Sequence, residues 1–388
     1  MMTIRKMKIV NNQLSIINRK GAALLVVLFI VMTVTILSLG FLSQSDTELA
    51  CGENMLLRTQ MDYLAESGLE HARGLLLSPQ DITDEYWEGA TGQQLVAGDD
   101  YYDVNVVKLG ECNYQITSLA YREKGGEQVG RSSLQAELRL DPCIAYWQTD
   151  NQSISSAVTI NGDVYCDDDL FIAGIVYGDV YARKQIIGSA AGQEYRFVSS
   201  PPVSLPGLAY SDFDSTYYIG STQYSVGSIS AEPDDITLGP TVGNPAGIYY
   251  RDGDLLVEDN VHITGMLVVK NDLKIREDGN LTVTAVKNFP ALLVGHDIQV
   301  ENDGAVLSIT GFAQVGHHID MENRVGSSIN VLGALYVLGD GIKNTNGCSV
   351  IIITAAPNKA AIQIWPTADN AERWSPAADA FFKSIERN

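Results

Sequence analysis

The chain has 388 residues, with 47 acidic side chains against 26 lysines and arginines and a formal net charge of −21. That length exceeds one average domain of roughly 100–200 residues, so two or three units are expected. The negative charge would repel phosphate, which argues against a nucleic-acid or anionic-lipid partner. At 45% hydrophobic and 19% charged residues the composition is that of an ordered globular chain. The five cysteines, Cys51, Cys112, Cys143, Cys166 and Cys348, contain no C-x-x-C pair, which removes the common zinc and redox motifs. A Cys112–Cys143 disulfide is compatible with an oxidising compartment, but isolated buried thiols are the first expectation.

The first feature along the chain is a polarity signal. Arg5, Lys6, Lys8, Arg19 and Lys20 precede a stretch from Gly21 to Ser45 that carries no charge, and Asp46, Glu48 and Glu53 follow it. Those 25 residues suffice to cross a hydrocarbon layer of about 30 Å as a tilted helix, with the basic end in the cytoplasm. Ser43-Gln44-Ser45-Asp46 is a poor small-x-small cleavage site, so a retained helix is expected, not an ordinary signal peptide. Leu42, Leu49, Leu56 and Tyr63 then recur every seven residues, with Leu64, Ala72 and Leu76 extending the stripe, and Gly74 and Pro79 closing it. One helix from Ala22 to Leu77 is the result, apolar all round in its first half and amphipathic in its second.

The residues Arg19-Lys20-Gly21-Ala22-Ala23-Leu24-Leu25-Val26, continuing to Ala65-Glu66-Ser67-Gly68-Leu69-Glu70, resemble the start of type IV minor pilins, specifically the PilX-like family, and of K-type pseudopilins of type II secretion. The resemblance covers about the first fifth of the chain. It implies cleavage by prepilin peptidase between Gly21 and Ala22, and an inner-membrane helix through Ala22, Leu28, Val34 and Leu42. It also implies that the partners are other pilin or pseudopilin subunits. Major pilins place a glutamate fifth in the mature chain, where it neutralises a neighbour's terminal amine; here the fifth residue is Val26. A charge at membrane depth costs about 2.5–3.5 kcal/mol without a partner. Its absence fits a minor subunit at a filament end.

After a mixed stretch at 79–100, alternation at Tyr102/Val104/Val106, Tyr114/Ile116 and Leu134/Ala136/Leu138/Leu140 predicts strands with one buried face. Turn residues at Lys108–Glu111 and Lys124–Glu127 make them an antiparallel meander that covers the helix, as in the pilin fold. The expected fold is thus α+β at the N-terminus: a leader at 1–21, a helix at 22–78 and a small sheet at 79–142.

From 143 to 388 a parallel β-solenoid is expected, right-handed by default. Gly253-Asp254-Leu255, Asn271-Asp272-Leu273, His296-Asp297-Ile298, His317-His318-Ile319 and Asp340-Gly341-Ile342 repeat one phrase, their aliphatic positions 18, 25, 21 and 23 apart. Val261-x-Ile263, Leu281-x-Val283 and Ile329-x-Val331 supply another, and Val294-Gly295, Val315-Gly316 and Leu338-Gly339 a third. Ile160–Tyr165 and Ile175–Tyr181 echo the phrase, which starts the stack near residue 153. The proline-rich stretch 195–247 reads as a surface excursion that leaves and rejoins the stack and is the leading partner-contact segment. Ser375-Pro376 with Phe381, Phe382 and Ile385 predicts a C-terminal capping helix.

Asp254, Asp272 and Asp297 share one repeat position and are weak calcium candidates, with Asx-turn roles preferred. The doublet His317-His318 is a weak metal or acid/base candidate, since adjacent strand residues face opposite ways. No nucleophile elbow, phosphate loop or HExxH motif occurs, so no cofactor, metal or catalytic residue is assigned. The expectation is a non-enzymatic filament subunit at the tip or in the initiation complex, with its bulk periplasmic or extracellular and its envelope partner unidentified. The alternatives are a membrane-anchored solenoid adhesin or bactofilin-like polymer, and a polysaccharide-active enzyme of the kind some β-helices resemble.

Overall fold

The computed structural model describes residues 11–78, 86–110, 112–301, 303–321, 325–343 and 350–387, with side chains from residue 23 onward. The basic residues Arg5, Lys6 and Lys8, together with Pro79, Glu111, Arg324 and Cys348, lie outside them. The chain divides into two compact units, Met1–Tyr63 and Leu64–Asn388. The boundary falls within a single helix, α1, Asn11–Leu77.

In the first unit α1 carries no charged residue from Ala23 to Ser45, and Leu24, Leu28, Val34 and Leu42 are all more than half exposed. The helix is long and apolar enough to cross a membrane. Two of its hydroxyls are satisfied within it: Thr33 and Thr35 donate to the carbonyls of Phe29 and Val31, each at 2.8 Å. Leu49, Leu56 and Tyr63 are exposed as well, so the seven-residue stripe forms an exposed edge of the helix. Met61, near the end of the first unit, is already buried, and in the second unit the buried stripe runs through Leu64, Ala65, Leu69, Ala72 and Leu76.

In the second unit that stripe packs on an antiparallel sheet of β1 (Gly89–Gln93), β2 (Asp100–Gly110), β3 (Asn113–Lys124) and β4 (Glu127–Leu140). The inward faces are the alternating residues read from the sequence, Tyr102, Val104 and Val106 on β2, Tyr114 and Ile116 on β3, and Leu134, Ala136, Leu138 and Leu140 on β4, with Val106 opposite Ile116 and Tyr114 opposite Leu138. Gly125 and Gly126, both at positive φ (64° and 84°), make the two-residue β3–β4 turn. A fifth strand, Ala380–Arg387, completes the sheet by pairing with β4. This replaces the expected C-terminal capping helix. The spacing of Phe381, Phe382 and Ile385 mimics a helical face because the register shifts between Phe382 and Ser384, resetting the strand alternation. Arg73 of α1 reaches Asp379, just before that strand, at 3.0 Å.

The solenoid, of about nine turns, therefore lies between two neighbouring strands of the sheet. It begins at Ile144–Gln148, earlier than residue 153, and that strand takes its place in the middle of the stack. The chain winds from there through Asp163–Cys166 and Val180–Ala182 to Glu194–Arg196 at one end. It crosses to the other end and winds back from Gly227–Ser228 until Ser328–Val337 pairs with Ile144–Gln148. The excursion does not rejoin the stack where it left, and it is not a free surface loop. Its Val203, Leu208, Phe213 and Tyr217 are buried against one solenoid face together with Ala360 and Ile362 from the C-terminal segment. Under this cover runs an aromatic ladder in which Trp147 lies 4.2 Å from Tyr165 and 5.2 Å from Tyr336, ring centre to ring centre.

The repeat phrases stack as read. Leu255, Leu273, Ile298, Ile319 and Ile342 are successive register partners on the second face, and Val261, Leu281 and Ile329 align on the third with Leu307 between the last two. The third phrase slips by one in its last copy: Val315 pairs with Val337, not Leu338. Where the third face bends into the first, Gly333 at φ 147° stacks on Gly311, whose carbonyl oxygen would lie 2.0 Å from any added Cβ.

Chain entrance and exit share one joint. Cys143 bridges to Ala377, and Cys112 to Cys143 forms a disulfide with Cα atoms 6.3 Å apart, although isolated thiols were the first expectation. Of the described cysteines, Cys51 is exposed and free and Cys166 buried and free. Asp163 accepts from the amides of Cys143 and Asp179, each at 2.7 Å, and Asp179 takes Arg139 of β4 at 2.9 Å. Burial pushes the Asp163 carboxyl up to about 6, against the opposing pull of the two amides and of Arg139.

Two outcomes follow. Removing the disulfide by Cys112→Ala with Cys143→Ala is expected to cost about 3–4 kcal/mol in urea unfolding, for a separation of 31 residues; a loss below 1 kcal/mol would contradict a cross-link that restrains the joint. Between the unfolded carboxylate value of about 3.9 and the folded value of about 6, the folded state holds more protons, so this group's contribution to stability falls as pH rises. Asp163→Asn therefore compares more favourably with wild type at pH 7 than at pH 4.5, by about 2 kcal/mol; an equal difference at both pH values would refute the assignment.

Candidate functional site

The three faces of the solenoid differ in what they offer solvent. The first is covered as described. On the second, the outward column runs Leu256, Lys274, Gln299, Asp320 and Lys343, mixed in charge. The third is open, and period-two alternation sorts its side chains: rows of aliphatics point in, and mainly small polar groups, with Leu332 and Ile352 among them, point out. One outward column is His262, Thr282, Ser308, Asn330, Ile352 and Thr159; beside it runs Thr264, Thr284, Thr310, Leu332, Thr354 and Asn161. Neither column contains Asp, Glu, Lys or Arg, although the chain as a whole is 19% charged. Parallel strands at about 4.8 Å spacing make this a flat, regular, uncharged surface. The repeat phrase Val261-x-Ile263 defines only the inward residues of this face; its signal in the sequence is the uncharged x positions.

The second concentration of chemistry lies at the corner leading into the second face. Asp254, Asp272 and Asp297 do form a column, and each carboxylate accepts the backbone amide of the next rung: Asp272 to Asp254 at 3.5 Å, Asp297 to Asp272 at 3.3 Å and His318 to Asp297 at 3.2 Å. Lys274 sits between the first two, 3.3 Å from Asp254 and 3.6 Å from Asp272, and supplies the cation there itself. Asp254 is held below the usual carboxylate range by its hydrogen bonds and by Lys274, which together outweigh its burial, the largest single influence.

Around Asp297 the partners change from lysine to imidazole. His296 Nδ1 lies 2.8 Å from Asp272 Oδ1 and 3.1 Å from Asp297 Oδ2, and the hydrogen bond to Asp272 raises its pKa. His317 Nδ1 lies 2.9 Å from Asp297 Oδ1, and its Nε2 is 3.8 Å from Asp340, which Lys343 contacts directly. His318 is half as exposed as His317 or less, and burial lowers its pKa. The expectation that His317 and His318 face opposite ways is incorrect. Their Nδ1 atoms are 2.9 Å apart, because His317 occupies the corner and only His318 belongs to the strand His318–Asp320. His296, stacked on His317 with ring centres 5.0 Å apart, is the partner that sequence analysis missed, although it precedes Asp297 in the same repeat phrase.

The processing pair Gly21 and Ala22 lies within α1, where the backbone is helical. No protein-family model matches the chain. No curated protein matches it either. Among solved structures it is similar to an ice-binding protein from the Antarctic ascomycete Antarctomyces psychrotrophicus, at 15% identity over 54% of this chain and 98% of that one, with a TM-score of 0.30. It is also similar to the competence-associated pilin ComZ from Thermus thermophilus, at 12% identity over 86% of this chain and 98% of that one, with a TM-score of 0.23.

Proposed function

We propose that the chain is a non-enzymatic minor pilin or pseudopilin-like subunit of a type IV pilus or type II secretion filament, at the tip or in the initiation complex, that displays its β-solenoid for assembly or contact. The observation that carries this reading is α1: one uninterrupted helix whose first part is apolar on all sides and exposed from Leu24 to Leu42, and whose last turns brace a small sheet. A plain anchor needs only the membrane span. The further exposed apolar residues Leu49 and Leu56 have use where other such helices pack beside them. Val26, in place of a glutamate, suits a subunit that has no neighbour's terminal amine to neutralise. The Cys112–Cys143 disulfide supports export, since such bonds persist in oxidising compartments.

In this reading prepilin peptidase cuts between Gly21 and Ala22, and the helix then lies in the inner membrane until it is extracted into a filament. The open third face is the display surface, suited to a neutral partner with regularly spaced hydroxyl or similar groups. Asp254 and Asp272 at the solenoid corner are engaged by backbone amides and by Lys274, which favours a structural role for them over hydrolysis.

Mass spectrometry of the protein from its native membranes should give a mature N-terminus at Ala22. Retention of residues 1–21 would instead favour the membrane-anchored adhesin. Immunogold labelling of sheared filaments should mark ends alone, and regular labelling along the shaft would remove the tip assignment.

A further inference from the structure

Three donor atoms at the solenoid corner form a nearly equilateral triangle. His317 Nδ1 to Asp297 Oδ1 is 2.9 Å, His318 Nδ1 to Asp297 Oδ1 is 3.0 Å, and His317 Nδ1 to His318 Nδ1 is 2.9 Å. Hydrogen bonding cannot satisfy that arrangement. Each Nδ1 carries at most one proton and points it along one edge, so at most two edges are bonded. On the third, two N–H groups or two lone pairs confront each other at hydrogen-bond distance. A single cation above the triangle satisfies all three edges at once.

The dimensions select the kind of cation. Nitrogen and carboxylate donors bind first-row divalent ions at about 2.1 Å, which separates adjacent donors by about 3.0 Å in an octahedron and about 3.4 Å in a tetrahedron. The edges here match an octahedral face. Two imidazoles and one carboxylate are a borderline donor set that suits such ions better than calcium, which takes six to eight oxygens. The support is firm at the carboxylate: Asp297 is 4% exposed and also accepts the His318 amide, fixing it across two rungs. The outer side is open, since the His317 side chain is 43% exposed, leaving room for water or for His296, whose donor atom lies within 4.8 Å of those of Asp297 and His317.

We propose that Asp297, His317 and His318 bind one divalent first-row transition ion, with Asp297 and the histidine pair on successive rungs, so that the ion clips two turns of the solenoid together.

The full chain, purified in detergent without a histidine tag, is titrated with NiCl2 by calorimetry at pH 7.5, with far-ultraviolet circular dichroism of each variant as the fold control. One site per chain is expected, with His317→Ala or His318→Ala weakening it about 100-fold or more and His262→Ala, on the third face, leaving it unchanged. The exposed His317→Gln keeps the test valid if His318→Ala fails to fold. Cobalt(II) bound to wild type should show the weak absorption of a six-coordinate ion. The proposal is overturned if wild type binds nickel no more tightly than His317→Gln, or if His262→Ala weakens binding as much as His317→Ala.

Discussion

Everything beyond the N-terminal sheet depends on one strand pairing, Ser328–Val337 beside Ile144–Gln148. It joins the last turns of the solenoid to the first, so the chain starts and finishes at mid-stack. Once that pairing is made, the remaining geometry is constrained. The turns wound outward from Ile144 must be linked to those wound inward toward Val337 by a segment long enough to pass the whole stack. That segment needs something to bury, and the aromatic ladder of Trp147, Tyr165 and Tyr336 provides it. Burial of the excursion on the first face leaves the second and third faces as the solenoid's accessible sides.

The same pairing sets Cys143 and Ala377 side by side, which is why Ala380–Arg387 can return to β4. The solenoid is thereby held at two strands of one sheet, with the Cys112–Cys143 disulfide and the Arg139–Asp179 ion pair across the joint. A double attachment restricts rotation in a way that a single linker does not. It also couples the sheet beneath α1 to the first rung through hydrogen-bonded backbone, Ile144 donating to Pro376 at 3.0 Å.

Much of this was legible in the residues, and the exceptions have physical causes. The second-face column from Leu255 to Ile342 could be read because each copy carries a turn residue beside one inward aliphatic. The first rung could not: Ile144–Gln148 is buried throughout, so it shows no alternation, and its neighbour in space is nearly two hundred residues away in sequence. Phe381 and Phe382 were read as helical because a register shift in a strand imitates a helical period. The histidine pair was misjudged by applying strand alternation to a corner, where adjacent side chains converge. The excursion reads as surface because prolines, glycines and serines are scattered through it, while buried apolar residues such as Val203, Leu208, Phe213 and Tyr217 are widely spaced and match neither period.

Mid-stack attachment has an evolutionary consequence. A solenoid tethered at one terminus changes its relation to its anchor whenever a turn is added beside that anchor. Here the terminal turns, at Glu194–Arg196 and Gly227–Ser228, are both remote in the stack from the joint. Duplication or deletion of a turn at either extremity alters the length of the open faces while leaving the attachment untouched, provided the crossing segment keeps pace. Reach and footprint can thus vary between descendants of this chain without redesign of the part that joins it to its neighbours.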